Sequence, residues 1–287
     1  MKTVYIGSSD FSLAVLSAAA PLLSPALVVS RAPAAKGRGR HLAPTPLAAG
    51  ARELGLAVLE PLRLSDAAEQ IDAVAPELIV LCAYGGMVRE PLLSRYEILN
   101  VHPSLLPRWR GAAPIERAIM AGDKQTGVSL MRLVAELDAG PVCSVAAVTI
   151  EPDDDFASLS ARLAGLAGAL VPQALAGPRR YLDQDAAGVT YAEKLTAADR
   201  ELDPGRPAAE LERRVRALHP HLGARLPGGL GVSAARVSDR PTAAGALAAH
   251  GGRLYYGATP GTLELLVVQP PGKRAMEAAA YLRGHAL

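Results

Sequence analysis

The chain has 287 residues, of which 50% are hydrophobic and 20% are charged, and its formal net charge at pH 7 is +2. The length predicts about two globular domains. A net charge this small does not by itself predict a nucleic-acid partner, and no apolar run is long and clean enough to span a bilayer, so we expect no membrane partner.

Short apolar runs alternate with helical patterns up to about residue 175. Runs typical of strands cover residues 3–6, 26–30, 57–59, 78–83, 98–101 and 128–133, and helical patterns cover residues 12–23 and 47–54. The alternation predicts an α/β domain with a doubly wound, mainly parallel sheet, which binds ligands at the carboxyl ends of its strands. The glycine pattern of dinucleotide-binding turns is missing after the first strand.

The predicted strand that begins at residue 98 ends in an Asn-x-His pair, and Asn100 is the only asparagine in the chain. Residues two apart in a strand point to the same face, so the amide of Asn100 and the imidazole of His102 lie side by side. The ordinary alternative is two polar groups satisfied inside a core. A proline-rich loop with the chain's only tryptophan follows, and Asp138 lies in a turn after the next predicted strand. An amide, an imidazole and a carboxylate at neighbouring strand ends make a plausible acyl-transfer site.

The second part of the chain has a different pattern. Residues 176–206 are charged and rich in turns, which predicts a connector between a catalytic domain (1–175) and a second domain (207–287). One helix is predicted at Ala208–Leu218, and short runs such as residues 263–268 predict a small β-barrel. From residue 206 onward there are eleven basic and five acidic residues, a local net charge of +6. A solvated basic face is the ordinary explanation for this excess.

Neither metal binding nor secretion is indicated. Cys82 and Cys143 lie in apolar runs without metal-ligand spacing, which predicts free thiols in a reducing cytosol. The six histidines offer no compact ligand set, so we expect no metal. A signal peptide is disfavoured because the polar run Gly7-Ser8-Ser9-Asp10 interrupts the apolar amino terminus, and we therefore expect a cytoplasmic protein.

At this point the sequence closely resembles the methionyl-tRNA formyltransferases, within the wider set of enzymes that use 10-formyltetrahydrofolate. The run Asn100-Val101-His102-Pro103-Ser104-Leu105-Leu106-Pro107 and the later Asp138-Ala139-Gly140 are similar to the pattern of the whole set. The continuation Arg108-Trp109-Arg110-Gly111-Ala112-Ala113-Pro114-Ile115 is narrower and resembles the tRNA enzyme. Further matches are Gly7-Ser8-Ser9-Asp10-Phe11, Gly37-Arg38-Gly39-Arg40, Val189-Thr190-Tyr191-Ala192-Glu193-Lys194-Leu195 and Val268-Gln269-Pro270-Pro271-Gly272-Lys273.

The resemblance implies a Rossmann-like formyltransferase fold followed by an OB-like β-barrel. It also implies transfer of a formyl group from 10-formyltetrahydrofolate to the α-amino group of initiator methionyl-tRNA, by a monomer, with Asn100, His102 and Asp138 as the catalytic residues. The residues that the resemblance assigns to folate binding are Tyr84, Gly85, Gly86, Ser104, Leu105, Leu106, Pro107 and Leu137.

The resemblance assigns a role to basic residues as well. In the family a loop enters the acceptor end of the tRNA, and Gly37-Arg38-Gly39 matches its centre, which makes Arg38 the expected acceptor-stem contact. Phosphate contacts of this kind position a nucleic acid without reading its sequence. The expected tRNA-binding residues are Lys36, Arg38, Arg40, Arg213, Arg214, Lys273 and Arg274.

Three alternatives remain at this stage. A formyltransferase for a small amine, such as glycinamide ribonucleotide or an amino sugar, would share the three catalytic residues but would not need the basic second domain or the Arg38 loop. A formyltetrahydrofolate hydrolase would share them too and deliver the formyl group to water. A relative that binds tRNA or folate without turnover is disfavoured, because all three chemical positions are present.

Overall fold

The computed structural model describes residues 1–20, 22–36 and 41–285. The chain divides into two compact units. The first comprises Met1–Ala112, Thr126–Val148 and Ser160–Ala192, and the second comprises Ala113–Gln125, Thr149–Leu159 and Glu193–Leu287.

The strands and helices of the described residues are numbered in chain order. Strands β1 to β17 span Thr3–Gly7, Leu27–Val29, Ala34–Lys36, His41–Ala43, Val58–Leu59, Leu78–Cys82, Ile98–His102, Arg110–Gly111, Gln125–Arg132, Val142–Thr149, Tyr191–Ala192, Ala224–Arg225, Gly231–Ser238, Leu247–His250, Arg253–Gly257, Thr262–Gln269 and Met276–Glu277. Helices α1 to α8 span Asp10–Ala19, Pro46–Glu53, Ala68–Val74, Leu92–Arg95, Pro114–Ala121, Phe156–Leu175, Ala208–Leu218 and Ala278–Gly284.

The first unit is built on a seven-stranded sheet in the order β10-β9-β7-β6-β1-β2-β5. The five strands from β7 to β5 pair in parallel, whereas β9 runs antiparallel to β7. Strands β1, β6 and β7 are buried along their whole length, as expected for a parallel sheet covered on both faces. The predicted α/β class with a mainly parallel sheet is thereby confirmed.

The first helix corrects one predicted boundary. It begins at Asp10 rather than at residue 12, because the Ser9 side chain accepts a hydrogen bond from Ser12 N (3.2 Å) and caps the first turn. The helix ends at Ala19, four residues before the predicted end. Pro21 lacks the backbone N–H that a continuing helix needs. The sequence prediction extended the helix past this proline because the surrounding residues are mostly small and apolar.

Residues 176–192 of the predicted connector fold with the first unit. Arg179 donates from Nε and Nη2 to the two carboxylate oxygens of Glu97 (3.0 Å each), and the Tyr181 hydroxyl donates to Oε1 (2.6 Å). The hydrogen bond from Arg179 lowers the pKa of Glu97. Leu182 and Val142 exchange two backbone hydrogen bonds, of 2.8 and 2.9 Å. This stretch is therefore fixed against the sheet before it reaches β11.

The second unit contains a six-stranded antiparallel sheet. The strands follow the order β12-β13-β16-β15-β14, and β17 pairs with β16. Helix α7 buries Leu211, Val215 and Leu218 in the core of this unit. These pairings give an open order among the described strands, so the OB-like barrel stays a prediction.

An ion pair inside the second unit joins α5 to residues 196–199. Arg117 Nη1 donates to Asp199 Oδ1 (2.6 Å), and the backbone and hydroxyl of Thr196 donate to Oδ2 (2.8 and 2.9 Å). Burial alone raises the pKa of Asp199, but the hydrogen bonds from Arg117 and Thr196 outweigh it and lower that pKa to about 2.

We expect Asp199→Asn to lower the free energy of unfolding by about 2 kcal/mol at pH 7. A depressed carboxyl pKa contributes stability that is present above the unfolded value of about 3.9 and is lost as the pH falls through the folded value of about 2. The difference between the two proteins should therefore shrink between about pH 4 and pH 2. Urea unfolding at pH 7 and pH 3 measures it, and an equal difference at both pH values would contradict the assignment.

Candidate active site

The carboxyl end of β7 and the turn after β9 bring three polar side chains together. Asn100 and His102, which are 8% and 4% exposed, point to the same side of β7, as the strand period predicts. Asp138 Oδ1 lies 3.4 Å from Asn100 Nδ2, and its Oδ2 lies 3.6 Å from His102 Nδ1. The amide, imidazole and carboxylate that the sequence predicts to be neighbours are neighbours in the structure.

The Asp138 carboxylate is fixed by the backbone as well as by its neighbours. Its Oδ2 accepts a hydrogen bond from Gly111 N (2.8 Å), in the short strand β8. Asp138 itself has a φ of +47°, in the left-handed region. Two residues later the chain passes close to β9, where a Cβ on Gly140 would lie 1.8 Å from Arg132 O, so only glycine fits. The turn therefore presents the carboxylate in one defined direction.

Oxygen atoms face both nitrogens of the His102 ring. Nε2 lies 2.9 Å from the backbone carbonyl of Trp109, which can only accept, so this nitrogen is the donor. Nδ1 faces the Asp138 carboxylate at 3.6 Å. Trp109 has a φ of +63°, and its own N–H donates to Thr190 Oγ1 (2.9 Å). The ring is thus held between the loop carbonyl and the carboxylate.

The predicted loop after His102 is shaped by buried serines. The hydroxyl of Ser104, which is fully buried, donates to Arg108 O (2.6 Å). Ser129 Oγ donates to Ser104 O (2.7 Å) and accepts from Leu106 N (3.0 Å). Ser104 therefore supports the loop, whereas Leu105, Leu106 and Pro107 are half-buried along it. Folate contacts of these four residues stay a prediction.

The other predicted folate-binding residues differ in exposure. Tyr84 is 7% exposed and packs in the hydrophobic core of the first unit, and burial raises the pKa of its hydroxyl. Gly85 and Gly86 are exposed in the loop after β6, and Leu137 is 62% exposed beside Asp138. Ser8 Oγ ties the same loop down by donating to Tyr84 O (2.8 Å). The folate role of all four residues also stays a prediction.

The predicted tRNA-binding residues have different surroundings. Arg38 and Arg40 lie outside the described residues, and Lys36 is described only as part of β3. Arg213 Nε donates to Met120 O (3.1 Å) at the end of α5, and Arg214 donates to the carbonyls of Asp199 and Glu201 (3.3 Å each). Lys273 and Arg274 are exposed. Arg213 and Arg214, by contrast, are half-buried.

The sequence did not predict a role in the site for two further residues. Gln184 donates to the carbonyls of Asp138 and Gly140, and Thr190 accepts from Trp109 N. Both lie in the stretch that the sequence predicts to be a connector. A signal existed, because Thr190 belongs to a run that resembles the family.

The described residues contain no group of three or more histidine, cysteine, aspartate or glutamate side chains that could hold a metal ion. None of their helices is long and apolar enough to cross a membrane. The polar groups that the described residues bring together at the site are an amide donor, an imidazole and a carboxylate. Such a set can stabilise a developing oxyanion and accept a proton, which are the two needs of acyl transfer to an amine.

Comparisons with known proteins agree with this chemistry. A family model described as formyl transferase matches residues 1–175, and one described as formyl transferase, C-terminal domain, matches residues 194–286. The methionyl-tRNA formyltransferase of Halorhodospira halophila is 44% identical over all of this chain and 97% of its own length. That of Paracoccus denitrificans is 43% identical over all of this chain and 98% of its own length.

Among solved structures, the N-formyltransferase of Helicobacter canadensis, in complex with folinic acid and dTDP-3-aminofucose, superposes with a TM-score of 0.70. The match covers 92% of this chain and 98% of that one, at 13% sequence identity. At this identity the likeness shows a shared fold.

Proposed function

This chain belongs to the methionyl-tRNA formyltransferase family, and we propose that Asn100, His102 and Asp138 perform the transfer that this membership assigns to it. The chain transfers a formyl group from 10-formyltetrahydrofolate to the α-amino group of initiator methionyl-tRNA. The product, N-formylmethionyl-tRNA, serves translation initiation.

One observation supports the site assignment above the others. The Asp138 carboxylate lies within 3.4 Å of the Asn100 amide and 3.6 Å of the His102 imidazole, at the carboxyl end of a buried strand. Ligands of open parallel sheets bind at this edge. The three groups are mostly buried, so their electrostatic effect on a bound substrate exceeds what they would exert in water.

Formyl transfer needs stabilisation of an oxyanion and removal of a proton, and these residues can supply both. Attack of the amine on the formyl carbon places negative charge on the formyl oxygen, which needs donors aimed at it. Asn100 uses one amide hydrogen toward Asp138 and has a second to donate, while His102, whose two ring nitrogens face Trp109 O and Asp138, can donate to the formyl oxygen only by exchanging one of these contacts. Asp138 orients both and accepts the proton that the amine loses, directly or through water.

The attacking group is an α-amino group, whose reference pKa is about 7.7–8.0. Esterification beside it lowers this value, so much of the amine is already nucleophilic at neutral pH. The residues present therefore suffice for amine activation, and the donor set of the site fits formyl transfer.

Basic residues of the predicted set are proposed to contact the tRNA backbone. Lys36, Arg38 and Arg40 belong to the loop that resembles the acceptor-end loop of the family, and Lys273 and Arg274 are exposed in the second unit. Arg213 and Arg214 join this set only if phosphates replace their present carbonyl partners. A cytoplasmic monomer completes the proposal, in keeping with the place of translation initiation.

Salt dependence tests the basic surface. We expect the affinity for initiator tRNA to fall steeply with salt, because each phosphate contact releases condensed counterions. Lys273→Ala combined with Arg274→Ala should weaken binding and reduce the slope of log Kd against log salt by about 2. Lys2→Ala, at an exposed position of the first unit, serves as the matched control. An unchanged slope in the double variant would remove both residues from the tRNA interface.

The acceptor is tested by offering the enzyme three nucleophiles in parallel. Labelled 10-formyltetrahydrofolate is incubated with charged initiator methionyl-tRNA, with glycinamide ribonucleotide or a nucleotide amino sugar, and with buffer alone. Transfer to the tRNA, without formylation of the small amines and without release of formate, is the expected result. Formylation of a small amine, or formate release in buffer, would replace the proposed acceptor.

A further inference from the structure

We propose that residues 184–190 are part of the active site, with Gln184 as a positioning residue for Asp138 and Thr190 as a positioning residue for His102. The inference rests on the proposed function, because it assumes that Asp138 and His102 act in formyl transfer. It changes the role of a segment whose composition predicts a connector.

The amide of Gln184 is fully used in holding the Asp138 turn. Its Nε2 donates to Asp138 O (2.9 Å) and to Gly140 O (2.7 Å). Its Oε1 accepts from Nε (3.0 Å) and Nη2 (2.8 Å) of Arg110. A side-chain amide has two donor hydrogens and two acceptor lone pairs, and here all four have partners. Gln184 therefore acts on the turn and leaves no hydrogen-bonding capacity for a substrate.

The turn requires such support because its backbone is unfavourable. Asp138 has a φ of +47°, which an L-residue rarely adopts, and Gly140 passes too close to Arg132 O for any side chain. The two carbonyls that Gln184 binds flank this stretch. Without these bonds the backbone can relax, and the carboxylate at its apex would rotate away from His102.

Arg110 connects the same amide to the other contact of the carboxylate. Gly111, the next residue, donates its N–H to Asp138 Oδ2 (2.8 Å). Strand β8, which contains both residues, pairs in parallel with β11. The backbone and the carboxylate of Asp138 are thus both tied to one short strand. A shift of residue 184 would therefore displace both the backbone and the carboxylate of Asp138.

Thr190 performs the corresponding task for His102. Its Oγ1 accepts from Trp109 N (2.9 Å), and the carbonyl of Trp109 accepts from His102 Nε2 (2.9 Å). Trp109 has a φ of +63°, so its peptide groups are held in a strained orientation. Arg110 N donates to Thr190 O (2.9 Å), so the backbone of Thr190 also binds the residue that follows Trp109. The threonine therefore sets the direction of the carbonyl that binds the ring.

The first test replaces Gln184 with glutamate. The carboxylate keeps the size and the contact with Arg110, but it has no hydrogen to donate and faces two carbonyl oxygens. We expect kcat for formyl transfer to fall by about 10- to 100-fold, with KM for tRNA and for the folate within about twofold, because misplacing a reacting group affects the transition state more than binding. Gln70→Glu makes the same charge change on the exposed face of α3 and should leave kcat unchanged.

A second pair of variants keeps the proposal testable if Gln184→Glu does not fold. Thr190→Val removes the acceptor at nearly constant shape and should lower kcat by about 10-fold or more, whereas Thr190→Ser keeps the hydroxyl and should stay within about threefold of the unchanged enzyme. Rescue by serine separates the hydrogen bond from packing, because serine lacks the methyl group that packing would need.

Unchanged kcat in Gln184→Glu and Thr190→Val would overturn the proposal. So would a fall in kcat that merely follows a lower melting temperature and a smaller folded fraction, because that would show a role in stability alone. An unchanged enzyme without any formyl transfer would overturn the proposed function and this inference with it. Normal transfer by the unchanged enzyme together with normal transfer by the variants would overturn only the inference.

Discussion

Asp138→Asn is expected to lower kcat for formyl transfer by about a thousandfold, within the range that positioned acid-base groups contribute. The amide preserves the size of the side chain and can still accept from Gly111 N. It removes the negative charge that lies 3.6 Å from His102 Nδ1, and it cannot accept the proton of the attacking amine. Steady-state kinetics with saturating folate and methionyl-tRNA measure the effect, and both KM values should change little.

Asp183→Asn provides the matched control for this prediction. Asp183 is exposed and lies next to Gln184, so the same change of charge is made near the site without touching the carboxylate at its centre. The control should retain the kcat of the unchanged enzyme. A kcat of Asp138→Asn within about tenfold of the control would exclude Asp138 from the proton transfer.

Asn100→Ala is expected to lower turnover at least about a hundredfold, which corresponds to at least about 2.7 kcal/mol in the barrier. The amide is a neutral donor at the carboxyl end of β7, and alanine leaves the formyl oxygen with one donor fewer as charge develops on it. Substrate binding relies less on this bond, because the oxygen is charged only in the transition state. The affinity for the folate should therefore remain nearly intact.

Equilibrium binding of the folate and single-turnover transfer, measured on the same preparation, separate these two effects. Gln70→Ala removes an exposed amide on α3 and controls for the loss of an amide elsewhere in the first unit. A near-normal rate in Asn100→Ala would contradict the assignment of Asn100 as an oxyanion donor. A loss of folate affinity equal to the loss of rate would assign Asn100 to ground-state binding instead.

The alternation of short apolar runs with helical patterns was sufficient to predict the parallel sheet, because buried parallel strands are nearly continuous apolar runs. The Asn-x-His spacing predicted a shared face for Asn100 and His102 for a similarly local reason. The proximity of Asp138 has another origin, because β9 runs antiparallel to β7 and the chain after Arg132 must turn back before Asp138 reaches Asn100. The predictions of the sheet and of the shared face depend on apolar runs and on a period of two residues, which a sequence displays directly.

Other features depend on contacts between distant parts of the chain. Nothing in the polar, turn-rich stretch around Gln184 indicates that its amide bonds to the carbonyls of Asp138 and Gly140, more than forty residues earlier. The contact of Arg213 with Met120 O is equally invisible in the sequence, because it depends on how α7 packs against α5. Charge counts identify basic residues, whereas only packing decides which of them already have partners.

Formyl transfer to initiator methionyl-tRNA, measured beside elongator methionyl-tRNA and with Asp138→Asn in parallel, tests the substrate and the active site together. We expect transfer to the initiator, little transfer to the elongator, and loss of transfer in the variant. Equal transfer to both tRNAs would contradict the initiator assignment. Full activity of Asp138→Asn on the initiator, with the folate bound normally, would contradict the assignment of the active site to the end of β7.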